Sequence, residues 1–247
     1  MPNHVLLHPE HHHDVRVITQ YSDALGDARM QVPVFPFEFQ HAQSYYPIFF
    51  KRDSETRALT ASALLGFQEG ENLFLRNGSW HAEYVPLMVE REPFLIGFQQ
   101  RADGQAKQAV IHIDLDSPRI SRSEGQPLFH AHGGSTAFLD RASGILKAIH
   151  DGQASSEQFF KQIDDMGLTE PFNLDITLEN GSNIRLTGFE TINESAFAAL
   201  TDEQVLALHR SGALKLMHLV SASQENIRKL AAWKNQQVST DVLSAAY

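Results

Sequence analysis

The chain of 247 residues contains no cysteine. That absence removes disulfides, thiolate nucleophiles, iron–sulfur clusters and cysteine-based zinc sites together. Positive charge is scarce as well: 20 lysines and arginines face 30 aspartates and glutamates, a formal charge of −10 that repels nucleic-acid phosphate and anionic lipid. No dense basic block offsets the deficit, because Arg119 with Arg122 and Arg228 with Lys229 read as isolated pairs on a solvated surface. Nucleic acid is therefore not an expected partner. Long apolar runs are missing too, and nothing approaches the ~20 residues of a membrane-spanning helix, so membrane insertion is not expected. The amino-terminal stretch MPNHVLLHPEHHHD has no basic flank and only Val5-Leu6-Leu7 as an apolar run, which does not read as a secretory signal; His11, His12 and His13 are taken as native. The expected location is cytoplasmic, with a signal-independent route to the cell surface as the alternative. Walker A, dinucleotide-fingerprint and zinc-protease patterns are all missing, so no recognised cofactor is expected.

What is present is enough for a sizeable core, since hydrophobic residues make up 42% of the chain and charged ones 20%, a balance that argues for folding and against long-range disorder. One domain over residues 1–247 is the expectation, β-rich to about residue 118 and helix-rich from about 119. In the first part short apolar runs are punctuated by proline and glycine: RVITQY, QVPVFPFEF, YYPIFFKR, ASALLGF, ENLFL, EYVPLMV, PFLIGFQ and AVIHIDL. Prolines 33, 36, 47, 86 and 93 would break any long helix and push their strands to edges or bulges. The class that follows is α+β, with a curved antiparallel or mixed sheet first, then helices and a β-hairpin.

After Pro118 the period changes. Phe138, Leu139, Ala142, Ile145, Leu146 and Ile149 fall on one helical face, with Ser135 as the entrance and Gly152 as the stop. Ser155 or Ser156 is then placed to cap a second helix carrying Phe159, Phe160, Ile163 and Met166, closing at Gly167. FNLDITLENGSNIRLTGF reads as a hairpin: Phe172, Leu174, Ile176 and Leu178 alternate with polar residues, Asn180-Gly181 tolerate positive φ, and Ile184 and Leu186 return. Thr201 to Gln204 is a capping-box entry to a helix through Leu208, ended at Ser211-Gly212. ALKLMHLVSAS fits strand or helix, and QENIRKLAAWKN is helical.

Several side-chain groups carry candidate chemistry. Gly133-Gly134-Ser135-Thr136-Ala137 resembles a degenerate nucleophile elbow, but a serine at a helix start more simply accepts a hydrogen bond from the first turn, and an anion site is the third option. His112, Asp114 and Asp116 alternate with Ile111, Ile113 and Leu115 on one strand. A histidine with two carboxylates suits non-haem iron. Parallel side chains ~6.6 Å apart converge poorly on one ion, however, and a solvated strand face accounts for them. His130 and His132 project to one side if their segment is extended, as a two-point metal ligand would need. Glu69 and Glu71 form a possible acid–base pair or a polar turn. Trp80, Tyr84, Phe94 and Phe98 are either a pocket lining or core.

The segments HVLL, RVIT followed by ALGD, VPVFPFEFQHAQSYYPIFFKRD, ALLGFQEGENLFL, WHAEYVPLMVEREPFLIG, IDLDSPRIS and ALHRSGALKLMHLVSASQENIRKLAAWK together resemble the bacterial SapC family, named after an S-layer-associated gene. The resemblance covers nearly the whole chain, and its specific parts are FP-E-F-x6-YPIFF and LLGF-x-EGENLFL. His130 to Ser135 departs from it, standing where relatives are acidic and glycine-rich. The resemblance implies no established reaction and transfers no catalytic residue. It implies company: flavin-dependent halogenase-like proteins, cupin-like proteins and TonB-dependent receptors encoded nearby. Three functions stay open at this point. They are an accessory protein binding a ligand or another protein, a surface-layer or export component, and a metal-dependent enzyme using His112, Asp114 and Asp116 or His130 and His132.

Overall fold

The computed structural model describes residues 3–100 and 108–245, and shows an α+β chain in which every strand pairing among the described residues is antiparallel. It divides into two compact units, each assembled from separated stretches of chain: residues 1–27, 75–80 and 87–151 in the first, 28–74, 81–86 and 152–247 in the second.

In the first unit His4–Leu6 and Phe94–Gln99 flank the central strand Gln108–Asp114, with Val5 opposite Ile113 and Gly97 opposite Val110. Ile113 is fully buried, and Ile111 and Leu115 pack on the same cluster, so the two-residue alternation read from AVIHIDL places one face of this strand inward. Val15, Val17, Phe94, Leu128, Leu139, Ala142 and Leu146 complete that cluster. A smaller sheet joins Arg16–Val17 to Ile120–Ser121 and Gln126–Pro127.

In the second unit the strands run in the order Thr169–Thr177, Asn183–Ile192, Ile48–Arg52, Leu59–Leu64, Gln31–Pro33. The hairpin expected around Asn180-Gly181 forms, with Ile176 opposite Ile184, and Glu190 then pairs with Phe50. A strand from the C-terminal half thus completes a sheet begun in the N-terminal half. Ile48, Phe49 and Phe50 are buried in succession, because this central strand is covered on both faces. Phe49 meets Phe172 and Phe189, while Phe50 meets Phe159 and Phe160. Ala213–Ser223, left open between strand and helix, is a helix burying Met217 and Val220. The Thr201–Gln204 capping box is present, and its helix runs Asp202–Ser211 before Gly212 closes it at φ +81°.

Four local expectations are corrected. The pair of helices separated at Gly152 is a single helix, Ala137–Asp165. Gly152 does not stop it; a Cβ there would run into the Phe37 ring, so the missing side chain is room for Phe37. Thr136, not Ser135, precedes the first helical residue and accepts from the Leu139 N–H at 3.4 Å, whereas Ser135 Oγ donates to Asp140 Oδ1 at 2.5 Å. EYVPLMV and FPFEF are not strands throughout: Leu87–Glu90 and Pro36–Glu38 are helical turns, each entered at or just after a proline whose fixed φ suits a first turn. His130 and His132 do not lie on an extended segment, because the bridge between Phe129 and Ser135 closes a tight loop around them and both are exposed.

Candidate functional site

The first unit holds a pocket of about 200 Å³. Its walls come from three places. Val17, Ile18, Thr19 and Tyr21 lie on the strand Arg16–Val17 and the chain after it; Val89, Glu90 and Glu92 lie on and after the Leu87–Glu90 turn; Phe138, Arg141, Ala142 and Ile145 share one face of the long helix. The helical spacing of the last four follows from 3.6 residues per turn, which lines up positions i, i+3, i+4 and i+7. Arg119 completes the lining.

Arg119 is 3% exposed and Asp27 0%, and the guanidinium donates to Asp27 Oδ1 at 2.5 Å. Its other terminal nitrogen donates to the carbonyls of Gln20 at 2.8 Å and Ile18 at 3.2 Å. Asp27 in turn accepts from the Ser22 N–H at 2.9 Å. One buried cation thus draws the Ile18–Asp27 stretch around itself, and the pair cancels its own charge inside the unit. A single donor is left over: Arg119 Nε is buried and has no hydrogen-bond partner among the described residues. An orphaned buried donor is costly, which is why most are matched.

Tyr21 stands beside it, with the guanidinium carbon 5.5 Å from the ring centre and Trp80 edge-on at 5.5 Å. Burial, reinforced by the Glu90 carboxylate, pushes the Tyr21 phenol above its usual value, so at neutral pH it is a protonated donor. Its hydroxyl makes no side-chain hydrogen bond among the described residues. At the rim Arg141 donates to Glu90 Oε1 at 2.9 Å.

The second unit has a wider groove of about 520 Å³ beside Leu59, Phe160 and Asp164. Three of its four charged lining residues, Lys161, Asp164 and Asp165, are already committed. Arg52 donates to both Asp164 oxygens at 2.9 and 2.8 Å and to Glu190 at 2.7 and 3.0 Å, and Lys161 pairs with Asp165. The Arg52 guanidinium holds both carboxyls below the ordinary range.

The residues singled out from sequence fare unevenly. His112 and Asp114 lie on Gln108–Asp114, and Asp116 is exposed just beyond it. Asp114 Oδ1 accepts from the N–H groups of Asn3 and Asp116, and Oδ2 is 3.8 Å from His4, so this carboxylate ties the strand end together. No group of three or more histidines and carboxylates among the described residues is placed to hold a metal ion. Glu69 is exposed, whereas Glu71 is buried, accepts from the Phe67 N–H at 2.7 Å and pairs with Lys234; the two do not act together. Trp80 is buried against the pocket's Tyr21. Tyr84 belongs to the second unit, where its hydroxyl donates to buried Glu38 at 2.7 Å. Phe94 is core and Phe98 is 52% exposed. Arg119, read from sequence as a surface charge, is the most buried cation of the pocket. Tyr21 and Arg141 lie in no segment that carries the resemblance, whereas Asp27 closes ALGD, Glu90 lies in WHAEYVPLMVEREPFLIG and Arg119 lies in IDLDSPRIS, which was the one available signal for the three.

Fold and pocket define the class first: an antiparallel α+β protein with a small, partly polar cavity built on a buried ion pair. The chain belongs to the SapC family, whose model matches residues 7–230. Neither a curated protein nor a solved structure matches it. Among the described residues no helix is long and apolar enough to cross a membrane.

Proposed function

We propose that this SapC-family chain is an accessory binding protein whose first unit takes a small ligand. The observation that supports this reading is a cavity of about 200 Å³ whose wall combines apolar side chains with Arg119, held in place there by Asp27. Concave sites with an apolar wall and a few fixed polar groups are where small ligands bind. Paired charges and the Tyr21 phenol at the lining supply recognition. The ligand-binding role fits the company that SapC resemblance implies, a halogenase-like flavoprotein, a cupin-like protein or a TonB-dependent receptor acting on the same compound.

The test is native purification followed by denaturation and mass spectrometry of the released small molecules. The native chain should release a compound that Thr19→Trp, which adds bulk from an exposed position of the pocket lining, does not, with an unchanged melting temperature. Identical extracts from both proteins would overturn the reading.

A further inference from the structure

Beyond the first-unit pocket, we infer that the second unit docks an extended stretch of a partner protein as an added sheet strand, in the groove of about 520 Å³. The stretch it fits is β-forming, with an apolar and a basic side chain on one face. Leu59–Leu64 spans six residues, but the outermost strand, Gln31–Pro33, pairs only with Ser62, Ala63 and Leu64. Val34 still donates to the Ala61 carbonyl at 3.0 Å, and the chain then leaves the sheet for the Pro36–Glu38 turn. The rest of the edge is open.

The direction of its backbone groups follows from the ladder. The Ala58 carbonyl accepts from Asp53 and the Leu64 N–H donates to Pro47, both at the ends of Ile48–Arg52, whereas the Ala61 carbonyl and the Leu65 N–H bond to Val34 and Met30 on the outer side. Even positions face inward and odd positions outward, as the alternation of a strand requires. Leu59 N–H, Leu59 C=O and Ala61 N–H therefore point along one line, and no strand among the described residues lies opposite them. Edges are ordinarily blunted by proline, charge or a bulge. The other edge of this sheet, Thr169–Thr177, has Pro171 and a register shift between Phe172 and Leu174. Leu59, Thr60 and Ala61 carry none of these devices.

The groove supplies the remainder of a strand site. Leu59 and Ala61 lie on the sheet face that packs on the long helix, since Ala61 is opposite Phe50 and Phe50 meets Phe159 and Phe160. A strand laid beside them presents every second side chain to that helix, where Phe160 calls for an apolar residue. Charge sets the other preference. Glu157 is exposed in the groove and forms no ion pair among the described residues, while Arg52 and Lys161 are taken by Asp164, Glu190 and Asp165. A lysine or arginine two positions from the apolar residue pairs with Glu157.

The experiment is a titration of the isotope-labelled full chain, followed by amide nuclear magnetic resonance, with the pentamer acetyl-KTVTK-amide to about 5 mM. Its valine and both lysines share one face, so either strand direction presents a lysine. The Leu59 and Ala61 amide protons should move downfield as they gain acceptors, while that of Ala63, already opposite Val32, stays. A strand bonds through alternate amides. N-methylation of one alternate set of the pentamer's amides should therefore abolish the shifts, and methylation of the other set should spare them. Acetyl-ETVTE-amide should bind at least ten-fold more weakly, and Glu157→Lys, an exposed change checked by an unaltered melting temperature, should reverse that order. Equal loss from both methylated isomers, equal binding of the acidic pentamer, or unmoved Leu59 and Ala61 amides at about 5 mM overturns the inference.

Discussion

Arg119 and Asp27 are joined at 2.5 Å across 92 positions of sequence, and neither is more than 3% exposed. Removing one member strands the other's charge in the interior, which costs about 3–5 kcal/mol, far more than the net worth of the pair. Asp27→Ala should therefore lower the stability read by urea denaturation by that amount. A loss under about 1 kcal/mol would mean that water reaches the site and that the pocket wall is not fixed by this pair.

Gly152 and Phe37 give a prediction in which the sign depends on background. Glycine inside a helix is about 1 kcal/mol worse than alanine, so Gly152→Ala alone ought to stabilise. The Phe37 ring occupies the space the new methyl needs. Gly152→Ala is expected to destabilise the native chain and to stabilise a Phe37→Ala chain by about 1 kcal/mol. A double-mutant cycle measures the difference, and additivity within about 0.5 kcal/mol would show that the ring swings aside at no cost.

The long helix should respond to Thr136 and not to Ser135. Thr136 Oγ1 accepts from Leu139 N–H and donates to the Pro127 carbonyl at 2.7 Å, so Thr136→Ala should cost ~1 kcal/mol or somewhat more. Ser135→Ala removes an exposed bond to Asp140 and should stay within ~0.5 kcal/mol. Chemical denaturation of the two variants side by side decides it.

Asp164 and Glu190, both held below their ordinary values by Arg52, link stability to acid. Their native carboxylates bind protons less readily than those of the unfolded chain. The stabilisation is complete above the unfolded value near pH ~4 and is lost as pH falls through the depressed native values. The urea midpoint should thus fall below about pH 5, and Glu190→Gln should make that fall shallower. An unchanged slope in the variant would mean that other carboxylates govern acid unfolding.

His12 acts in the same direction at higher pH. Burial, with His11 beside it, lowers its pKa below the ordinary histidine range, and its Nδ1 accepts from the His8 N–H at 3.0 Å, which requires the neutral ring. Its contribution is full above the unfolded value near ~6.5 and fades as pH drops toward the native one. In His12→Gln the stability change between about pH 7 and 5 should be smaller than in the native chain. Equal changes would mean the histidine is solvated in both states.

Much of this architecture was legible in the sequence because it depends on near neighbours. Alternation in 172–178, the positive-φ pair Asn180-Gly181, the Thr201–Gln204 box and the helical spacing of 138–149 are local statements, and each has its counterpart in the structure. The family is legible for a different reason, since matching segments run from residue 7 to residue 230. What no local rule reaches is which charged residue goes inside. Arg119 and Arg122 differ by three positions, yet one is 3% exposed and bonded to Asp27 while the other's side chain is 68% exposed and paired with Asp14 at the surface. Gly152 has the signature of a helix end and instead gives way to an aromatic ring from a distant turn. Sequence alone determined the α+β class, the hairpin, the capping-box helix and the family. Tertiary structure alone decided the pocket, because a buried charge is tolerated only where chain brought from far away supplies its partner.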